Sequence, residues 1–319
     1  MVKLAIITGI SGQDGSYLAE LLLDKGYKII GICNPKKKYN FKNLYNIRKK
    51  INFKKIDINN YSKIKSLIKK TKPHEFYHLA AQSFINYKFE DEFFKLNPNI
   101  NGTHYILSAI REFSPKTRFY FAASSELFGN SKKNPQNEET KFNPRSAYGV
   151  SKIAGYYLTK NYREAYNLYA CSGILFNHES PKRNKNFISR KISSNLALIL
   201  KKKLKKINLG NINAQRDWGH AKDYVYAMWK MLQLKKPQDF VIGTGKTHSV
   251  KDFLQIAFSS VNLDYRKYIK IDKSFMRPND KVILKADFKK AKKLLKWKPQ
   301  ISFKSLVLEM VNHDLKITK

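Results

Sequence analysis

The order of β-like and helical runs along this chain is its most constraining feature. The apolar run "KLAIIT" is followed by an amphipathic run, "SYLAELLLDKG", and then by a second apolar run, "YKIIGIC". Later runs typical of buried strands are "FKKID", "EFYHLAA", "RFYFAAS" and "YACSGILF". Strands that alternate with helices form parallel sheets, because each helix carries the chain back to the start of the next strand. The sequence therefore predicts an α/β fold with a doubly wound parallel sheet of the Rossmann type.

This rhythm becomes irregular beyond about residue 177. Prolines at positions 181, 237, 278 and 299 separate shorter elements there, as expected for a smaller domain that covers a ligand. We predict a Rossmann domain over residues 1–176 that is rejoined by about residues 217–250. The smaller, substrate-binding domain would comprise residues 177–216 and about 251–319.

The net charge of +38 raises the possibility of a polyanion-binding protein. However, the lysines are spread from Lys36 to Lys319. Runs such as "LKKKLKK" and "FKKAKKLLKWKP" place apolar residues at regular spacing between them. This pattern favours solvated helix faces, and we expect no specific nucleic-acid partner.

Cysteine usage and hydropathy bear on location. Cys33 and Cys171 lie inside apolar runs, at a spacing that suits neither a metal site nor a disulfide framework. A strand-like run begins at the first residues, and no apolar run approaches the roughly 18 residues that span a bilayer. We therefore expect a soluble cytoplasmic protein with no metal ligands and no membrane segment.

Three glycines stand between the first strand and the first helix, in "TGISGQDGSY". Gly9, Gly12 and Gly15 are three residues apart. Glycines at such a turn allow the backbone to approach a pyrophosphate, and the helix amino terminus directs N–H dipoles at its charge. A tight strand-to-helix turn without a ligand is the alternative, but the order of strand, glycines and helix favours a dinucleotide site.

The residues after the second strand bear on which dinucleotide would bind. An NAD enzyme usually offers an acidic residue to the ribose at this point, whereas this chain has Asn34 and then "PKKK". Lys36, Lys37 or Lys38 would suit the additional phosphate of NADP. A merely solvated basic loop remains the alternative interpretation.

A tyrosine and a lysine open a later helical run, "SAYGVSKIAGYY". Tyr148 and Lys152 are four residues apart and so share one face of a helix. A nearby ammonium and a bound nicotinamide cation would favour the phenolate form of Tyr148 and make it a general base. Because the chain has 19 tyrosines, an amphipathic helix with a chance Tyr-x-x-x-Lys pair is the alternative.

A carboxylate follows two serines in "FAASSELFG". The preceding run predicts a buried strand, so Ser124, Ser125 and Glu126 lie at its carboxyl end. Glu126 is then either a catalytic group or an acid that caps the next helix through its N–H groups.

The glycine turn, the serines after a later strand and the Tyr-x-x-x-Lys pair occur in the order typical of extended short-chain dehydrogenases/reductases, which this chain resembles. Within that family the chain is most similar to the GDP-mannose 4,6-dehydratases. The similar segments include "TGISGQDGSYLAELLLDKGY", "SSELFG", "NPRSAYGVSK", "GILFNHESPKR", "LGNINAQRDWGHAKDYVYAMW" and "GTGKTHSVKDF". With the tail "FMRPNDKVILKADFKKAKKLLKWKP", the resemblance covers nearly the whole chain.

The resemblance implies a lyase that converts GDP-mannose to GDP-4-keto-6-deoxy-mannose with retained NADP. Tyr148 would remove the proton of the C4 hydroxyl, Lys152 would hold the phenolate and the nicotinamide ribose, and Ser124 would polarise the oxygen at C4. Glu126 would remove the C5 proton and return it to the leaving C6 hydroxyl. A related 4-reductase or epimerase, and a non-catalytic polyanion-binding Rossmann protein, are the alternatives.

The resemblance also implies binding positions. The cofactor positions are Gly9, Gly12, Gln13, Asp14, Gly15, Asp57, Ile58, Leu79, Ala81, Ser83, Tyr148, Lys152, His178 and Arg183. The substrate positions are Asn177, Lys191, Arg216, Arg277 and Asp280. The arginines suit a diphosphate, because a guanidinium donates two parallel hydrogen bonds.

One segment departs from the family. "NPKKK" stands where the family typically has an arginine pair and serines, which serve cofactor binding and the contact between subunits. We expect a homo-oligomer, either a dimer or a tetramer, with no membrane partner.

Overall fold

A seven-stranded parallel sheet forms the centre of the chain in this computed structural model, which describes residues 2–36, 38–39, 41–81, 90–276 and 282–318, without the side chains of residues 90–95 and 98. Its strands are β1 (Leu4–Thr8), β2 (Lys28–Cys33), β3 (Ile51–Lys55), β4 (Glu75–His78), β5 (Arg118–Ser124), β6 (Ala170–Leu175) and β10 (Phe240–Ile242). They are arranged in the order β10-β6-β5-β4-β1-β2-β3. The predicted parallel sheet is thus confirmed, with β1 hydrogen-bonded to both β2 and β4.

Helices cover both faces of this sheet. The described helices are α1 (Gln13–Asp24), α2 (Tyr61–Thr71), α3 (Glu90–Phe113), α4 (Ala147–Tyr166), α5 (Ile188–Leu200), α6 (Ala221–Met231), α7 (Val250–Ser259), α8 (Lys289–Leu294) and α9 (Phe303–Ile317). Successive β1 side chains point to opposite faces, so Ile7 packs in the core below α1 and α6, and Ile6 in the core below α2, α3 and α4. Both isoleucines are fully buried. This two-faced burial confirms the doubly wound arrangement.

The third predicted strand ends earlier than the run "FKKID" indicates. Strand β3 ends at Lys55, and the Asp57 carboxylate accepts a hydrogen bond from the Asn59 backbone N–H at 3.0 Å. Such a side-chain turn redirects the backbone away from the sheet. Asp57 therefore belongs to a turn rather than to the strand.

A second region follows β6 and has its own apolar core. Its strands are β7 (Asn177–Glu179), β8 (Ile207–Leu209), β9 (Gln215–His220), β11 (Thr247–Ser249) and β12 (Ile269–Ile271). They form a β11-β9-β7 sheet and a β12-β8 pair, and α5, α7 and α9 supply most of the core between them. The chain returns to the large sheet through α6 and β10. The domain boundaries given by the sequence remain a prediction. Within the described residues, no helix is long and apolar enough to cross a membrane.

A buried ion pair joins α5 to α9 in this region. The Arg190 guanidinium lies 2.6 Å from the Asp314 carboxylate, and both residues are buried. Ser193 donates a further hydrogen bond to Asp314 at 2.6 Å, and Arg190 also donates to the carbonyl oxygen of Pro181. The terminal helix is therefore tied to the segment that follows β7.

We predict that Asp314→Ala destabilises the fold by about 3–5 kcal/mol, because it leaves the Arg190 cation buried without its partner. Urea denaturation measures the free energy of unfolding. Glu164→Ala is the control, because it breaks the exposed pair between Lys160 and Glu164 on α4. The control should change the free energy by less than about 1 kcal/mol. Equal effects of the two substitutions would contradict the structural role of the buried pair.

Candidate active site

A cleft of about 510 Å³ lies at the carboxyl edge of the parallel sheet and extends to the second region. Its position follows from the fold, because all parallel strands of a sheet end at the same edge. The predicted site residues that line it are Asp14, Leu79, Ala81, Ser124, Glu126, Tyr148, Lys152, Asn177, His178, Arg183, Lys191 and Arg216. The structure thus brings together all four predicted catalytic residues and eight predicted binding residues.

The glycine turn has the geometry of an anion cradle. Gly9 has a φ of +70°, and a Cβ atom there would lie 3.0 Å from the Ala80 backbone nitrogen. A Cβ atom at Gly15 would overlap the Gly9 carbonyl oxygen. No side chain caps α1 at Gly12, so the first N–H groups of the helix are available to a ligand. These residues fit the pyrophosphate of a dinucleotide.

Asp14, in the first turn of α1, is paired with a residue of β7. Its carboxylate lies 2.9 Å from Nε2 of His178. The neighbouring Gln13 side chain donates to the His178 carbonyl oxygen at 3.1 Å and accepts from the Ser180 hydroxyl at 2.7 Å. The glycine turn and the segment after β6 are therefore joined by several polar contacts.

The end of β5 presents the serine and the glutamate. Strand β5 ends at Ser124, and a single 3₁₀ turn, Ser125–Leu127, follows it. The Ser124 hydroxyl accepts a hydrogen bond from the Glu126 backbone N–H at 3.3 Å. The same hydroxyl acts to lower the pKa of the Tyr148 phenol, and both residues line the cleft. Ser124 thus lies beside the tyrosine, and the predicted position of Glu126 at the carboxyl end of a buried strand is confirmed.

Tyr148 and Lys152 lie in the first two turns of α4, as their spacing predicts. The helix begins at Ala147, because the Ser146 side chain accepts from the Gly149 N–H at 3.1 Å. The Lys152 ammonium is buried, donates to the Ala122 carbonyl oxygen at 2.7 Å and lies 5.8 Å from the centre of the Tyr148 ring. Lysine and tyrosine therefore face the same end of β5.

Burial favours the neutral forms of both side chains. It lowers the pKa of Lys152 to about 7. Burial and the nearby charge of Glu126 raise the pKa of Tyr148 to about 12, although the Ser124 hydroxyl acts in the opposite direction. In these protein surroundings Tyr148 is a neutral phenol at pH 7. The predicted phenolate applies to a site that also contains the nicotinamide cation.

The wall opposite the sheet carries three of the five predicted substrate residues. Asn177 lies on β7, Lys191 on α5 and Arg216 on β9. The Lys191 ammonium donates to the Asn208 carbonyl oxygen at 2.8 Å and lies 3.9 Å above the Phe275 ring. Three separate elements thus place polar side chains on one wall.

Several predicted residues lie elsewhere. Asp57 and Ile58 follow the end of β3, and Ile58 is buried against Gly102. Neither contributes to the described lining of the cleft. Ser83, Arg277 and Asp280, together with Lys37, lie outside the described residues.

The cleft also contains two charged residues that sequence reasoning missed, Arg145 and Glu179. Both stand inside motifs quoted for the resemblance, "NPRSAYGVSK" and "NHESP". The buried Glu179 accepts from the Ser189 hydroxyl at 2.6 Å and lies 3.2 Å from Nε of Arg183. Because both residues are charged and stand within these motifs, the sequence offered a signal by which they could have been chosen as site candidates. Among the described residues, no group of three or more His, Cys, Asp or Glu side chains is placed to hold a metal ion.

Comparisons with known proteins agree on one family. The family model described as GDP-mannose 4,6 dehydratase matches residues 6–310. GDP-mannose 4,6 dehydratase 1 of Arabidopsis thaliana is 44% identical over 99% of this chain and 91% of its own length. The human GDP-mannose 4,6 dehydratase is 40% identical over 99% of this chain and 92% of its own length.

Solved structures share the fold at lower identity. A dTDP-glucose 4,6-dehydratase from Bacillus anthracis in complex with NAD is 20% identical, with a TM-score of 0.86 over 99% of this chain and 97% of that one. A UDP-glucose 4-epimerase from Thermotoga maritima is also 20% identical, with a TM-score of 0.87 over 98% of this chain and 99% of that one.

The buried Lys152 predicts a pH-dependent effect of Lys152→Met on stability. Because the pKa of Lys152 is near 7 in the folded chain and 10.5 is its ordinary value, the unfolded chain binds the proton first as the pH falls. The variant should therefore gain stability relative to wild type between about pH 10 and about pH 7, by on the order of a few kcal/mol, and the gain should be constant below. Urea denaturation over this range tests it, with Lys160→Met on the exposed side of α4 as the control. A pH-independent difference would contradict the burial of a charged Lys152.

Proposed function

The chain belongs to the GDP-mannose 4,6-dehydratase family, and we propose on this basis that it converts GDP-mannose to GDP-4-keto-6-deoxy-mannose and water. The observation that carries the proposal is Glu126, a carboxylate placed in one cleft with Ser124 and Tyr148. An oxidation or an epimerisation at a single carbon does not require this additional acid or base. A dehydration does.

The first proton transfer involves Tyr148 and Ser124. Tyr148 accepts the proton of the C4 hydroxyl as the 4-keto sugar forms. Ser124, which lines the same cleft, donates to the oxygen at C4. Lys152 is close enough to favour the phenolate by its charge.

The elimination involves Glu126. A ketone at C4 acidifies the proton at C5, and the Glu126 carboxylate removes it. The same group then gives this proton to the C6 hydroxyl, which leaves as water. One residue thus serves as base and as acid in the elimination. When C6 is reduced, C5 takes up a proton, and the proton that Tyr148 removed from the C4 hydroxyl balances this uptake.

We propose a nicotinamide dinucleotide, specifically NADP, as the resident cofactor. When bound, it supplies the hydride acceptor for C4 and the hydride donor for C6, so there is no net redox change. The glycine turn would hold its pyrophosphate, and Asp14, His178 and Arg183 would lie beside it. Lys36 would offer its ammonium to the additional phosphate, since its backbone N–H is fixed by the Asn34 side chain at 2.9 Å.

The substrate would lie along the opposite wall of the cleft. Asn177, Lys191 and Arg216, which line this wall, would contact the GDP moiety. Arg277 and Asp280 lie outside the described residues, and the resemblance assigns them to the same nucleotide. Lysine and arginine suit the diphosphate by charge.

We further propose that the chain forms a homo-oligomer. Val150 and Tyr157 are half-exposed on α4, and apolar side chains of this kind on one helix support a contact between copies. The cytoplasmic location remains the prediction made from the sequence.

Glu126→Gln tests the assigned role most directly. The variant keeps the shape of the side chain and removes its proton acceptor, so GDP-mannose and NADP should still bind. Loss of water should slow by on the order of a hundredfold or more. Mass spectrometry of GDP-mannose incubated with protein and NADP follows the mass of the sugar nucleotide, and Glu139→Gln, at an exposed position, is the matched control.

Three outcomes of this experiment are informative. Wild-type protein that removes no water would refute the proposed activity. Normal dehydration by Glu126→Gln would refute the role of Glu126 while leaving the activity in place. Tyr148→Phe should instead block the first oxidation, so a 4-keto product from that variant would refute the role of the tyrosine.

A second test concerns the lysines after β2. If they contact the additional phosphate, wild-type protein should bind NADP more tightly than NAD, and replacement of Lys36, Lys37 and Lys38 by Ala should reduce that preference roughly tenfold or more. Isothermal titration with each dinucleotide measures it. The control is replacement of Lys289, Lys292 and Lys293 on α8 by Ala, which removes the same number of positive charges away from the segment after β2. An unchanged preference, or an equal loss in both triple variants, would indicate a solvated loop.

A further inference from the structure

An acidic residue stands at an unexpected position in the glycine turn. Asp14 lies in the first turn of α1, where the helix amino terminus would hold the pyrophosphate of the proposed dinucleotide. A carboxylate opposes a second anion at such a site by charge repulsion. Its charge must therefore be offset by neighbouring groups, and the structure identifies them.

His178 is held between two hydrogen-bond acceptors. Its Nδ1 lies 2.7 Å from the Phe176 carbonyl oxygen, and its Nε2 lies 2.9 Å from the Asp14 carboxylate. A carbonyl and a carboxylate both lack a proton to donate, so both ring nitrogens must carry one. The contacts are therefore satisfied together only when His178 is a cation. Burial opposes this charge, but Asp14 raises the pKa of His178, and the pKa of Asp14 is itself held below its usual value by His178.

Two other buried histidines of the chain show the contrasting arrangement. In His78, Nδ1 faces the Thr8 hydroxyl at 2.8 Å. That hydroxyl already accepts from the backbone N–H groups of Leu79 and Ala80, so its own proton is given to the histidine. In His220, Nδ1 accepts from the Lys222 backbone N–H at 3.0 Å. Each of these rings thus has one nitrogen that accepts a hydrogen bond, whereas both ring nitrogens of His178 face acceptors.

Charged and aromatic groups from several elements face His178. Asp14 faces it from α1, Arg183 faces it from the loop after β7, and the Tyr224 ring of α6 stacks on it at 4.5 Å. Tyr224 is buried and its pKa is raised well above its usual value, so it adds no charge at neutral pH. Arg183 is itself paired with the buried Glu179, which lies 3.2 Å from its Nε, so two anions accompany two cations and His178 is the cation that offsets Asp14.

We propose that Asp14 and His178 act as a positioning pair, in which Asp14 keeps His178 cationic and the ion pair fastens β7 against the glycine turn around a bound dinucleotide diphosphate. This inference rests on the proposed function for the identity of the ligand. It assigns Asp14 a task other than contact with phosphate: the carboxylate acts through His178. The fastening is lost when His178 releases a proton, so affinity for the dinucleotide falls as the pH rises.

The charge of His178 can be measured without any cofactor. In the full chain labelled at histidine, the NMR signals of the imidazole Cε1–H groups report protonation, and His178→Gln assigns the relevant signal. Wild-type His178 should titrate above the ordinary value of 6.5. Asp14→Asn should lower that midpoint by about one pKa unit or more, since the attracting charge is gone. The signal of His220 should be unchanged and serves as the internal control.

Isothermal titration with NADP then tests the consequence. Between about pH 7 and about pH 9.5, wild-type affinity should fall about tenfold, the factor that corresponds to one pKa unit of differential interaction. His178→Gln should bind about tenfold more weakly at pH 7 and should lack this additional fall. Lys152 is present in both proteins, so its own titration cancels in the comparison. His220→Gln, which removes a buried histidine outside the cleft lining, should behave as wild type.

The outcomes separate this inference from the proposed function. A neutral His178 at pH 6, or the same pH dependence in wild type and His178→Gln, would overturn the positioning pair. Absence of NADP binding at every pH would overturn the proposed cofactor, whereas the NMR midpoint would still report on the charge. If His178→Gln does not fold, Asp14→Asn carries the test, because its shape is nearly that of wild type and its His178 signal is retained.

Discussion

Parallel pairing of β1, β4 and β5 is the constraint on which the rest of the structure depends. Because the three strands run in the same direction and are adjacent, their carboxyl ends deliver three different segments to one edge. The end of β1 supplies the glycine turn, the end of β4 supplies Leu79 and Ala81, and the end of β5 supplies Ser124 and Glu126. Thr8 lies at the end of β1, and its hydroxyl is hydrogen-bonded to the His78 ring and to the backbone N–H of Leu79. It thereby fixes the ends of β1 and β4 relative to each other. The site residues therefore meet at this edge because of the order of the strands in the sheet.

The buried polar groups of the site destabilise the fold, and the packing of the rest of the chain offsets this destabilisation. The Lys152 ammonium is buried with one carbonyl oxygen as its fixed partner, and the Tyr148 phenol resists ionisation. A cationic nicotinamide would favour the phenolate of Tyr148, and an anionic sugar nucleotide would favour the ammonium of Lys152. Apolar cores on both faces of the large sheet, and the buried pair of Arg190 and Asp314, supply the stability that such an arrangement requires. This division of roles is typical of active sites, which violate local rules that the surrounding fold obeys.

Local sequence patterns predicted the parts of the molecule that depend on neighbours along the chain. The alternating runs predicted six of the seven strands of the large sheet, all but β10, and the spacing of Tyr148 and Lys152 predicted their common helix face, because both are properties of a few consecutive residues. The end of β3 was missed, since it depends on one side-chain turn at Asp57. The pair of Asp14 and His178, which are 164 positions apart, was not predictable as an ion pair. The resemblance named both residues, but it gave neither their contact nor their charge.

The large positive charge of the chain and the few cations of the cleft act on different scales. A net charge of +38 attracts any polyanion from a distance, and salt weakens this attraction for exposed lysines. The cleft cations are held in fixed positions: Lys152 by the Ala122 carbonyl oxygen, Lys191 by that of Asn208, and His178 by Asp14. Fixed, partly desolvated charges distinguish one anionic ligand from another by its geometry, whereas mobile surface charges do not. The excess of lysine therefore acts on any polyanion at a distance, whereas the carbonyl and carboxylate partners fix the positions at which the cleft presents its positive charges.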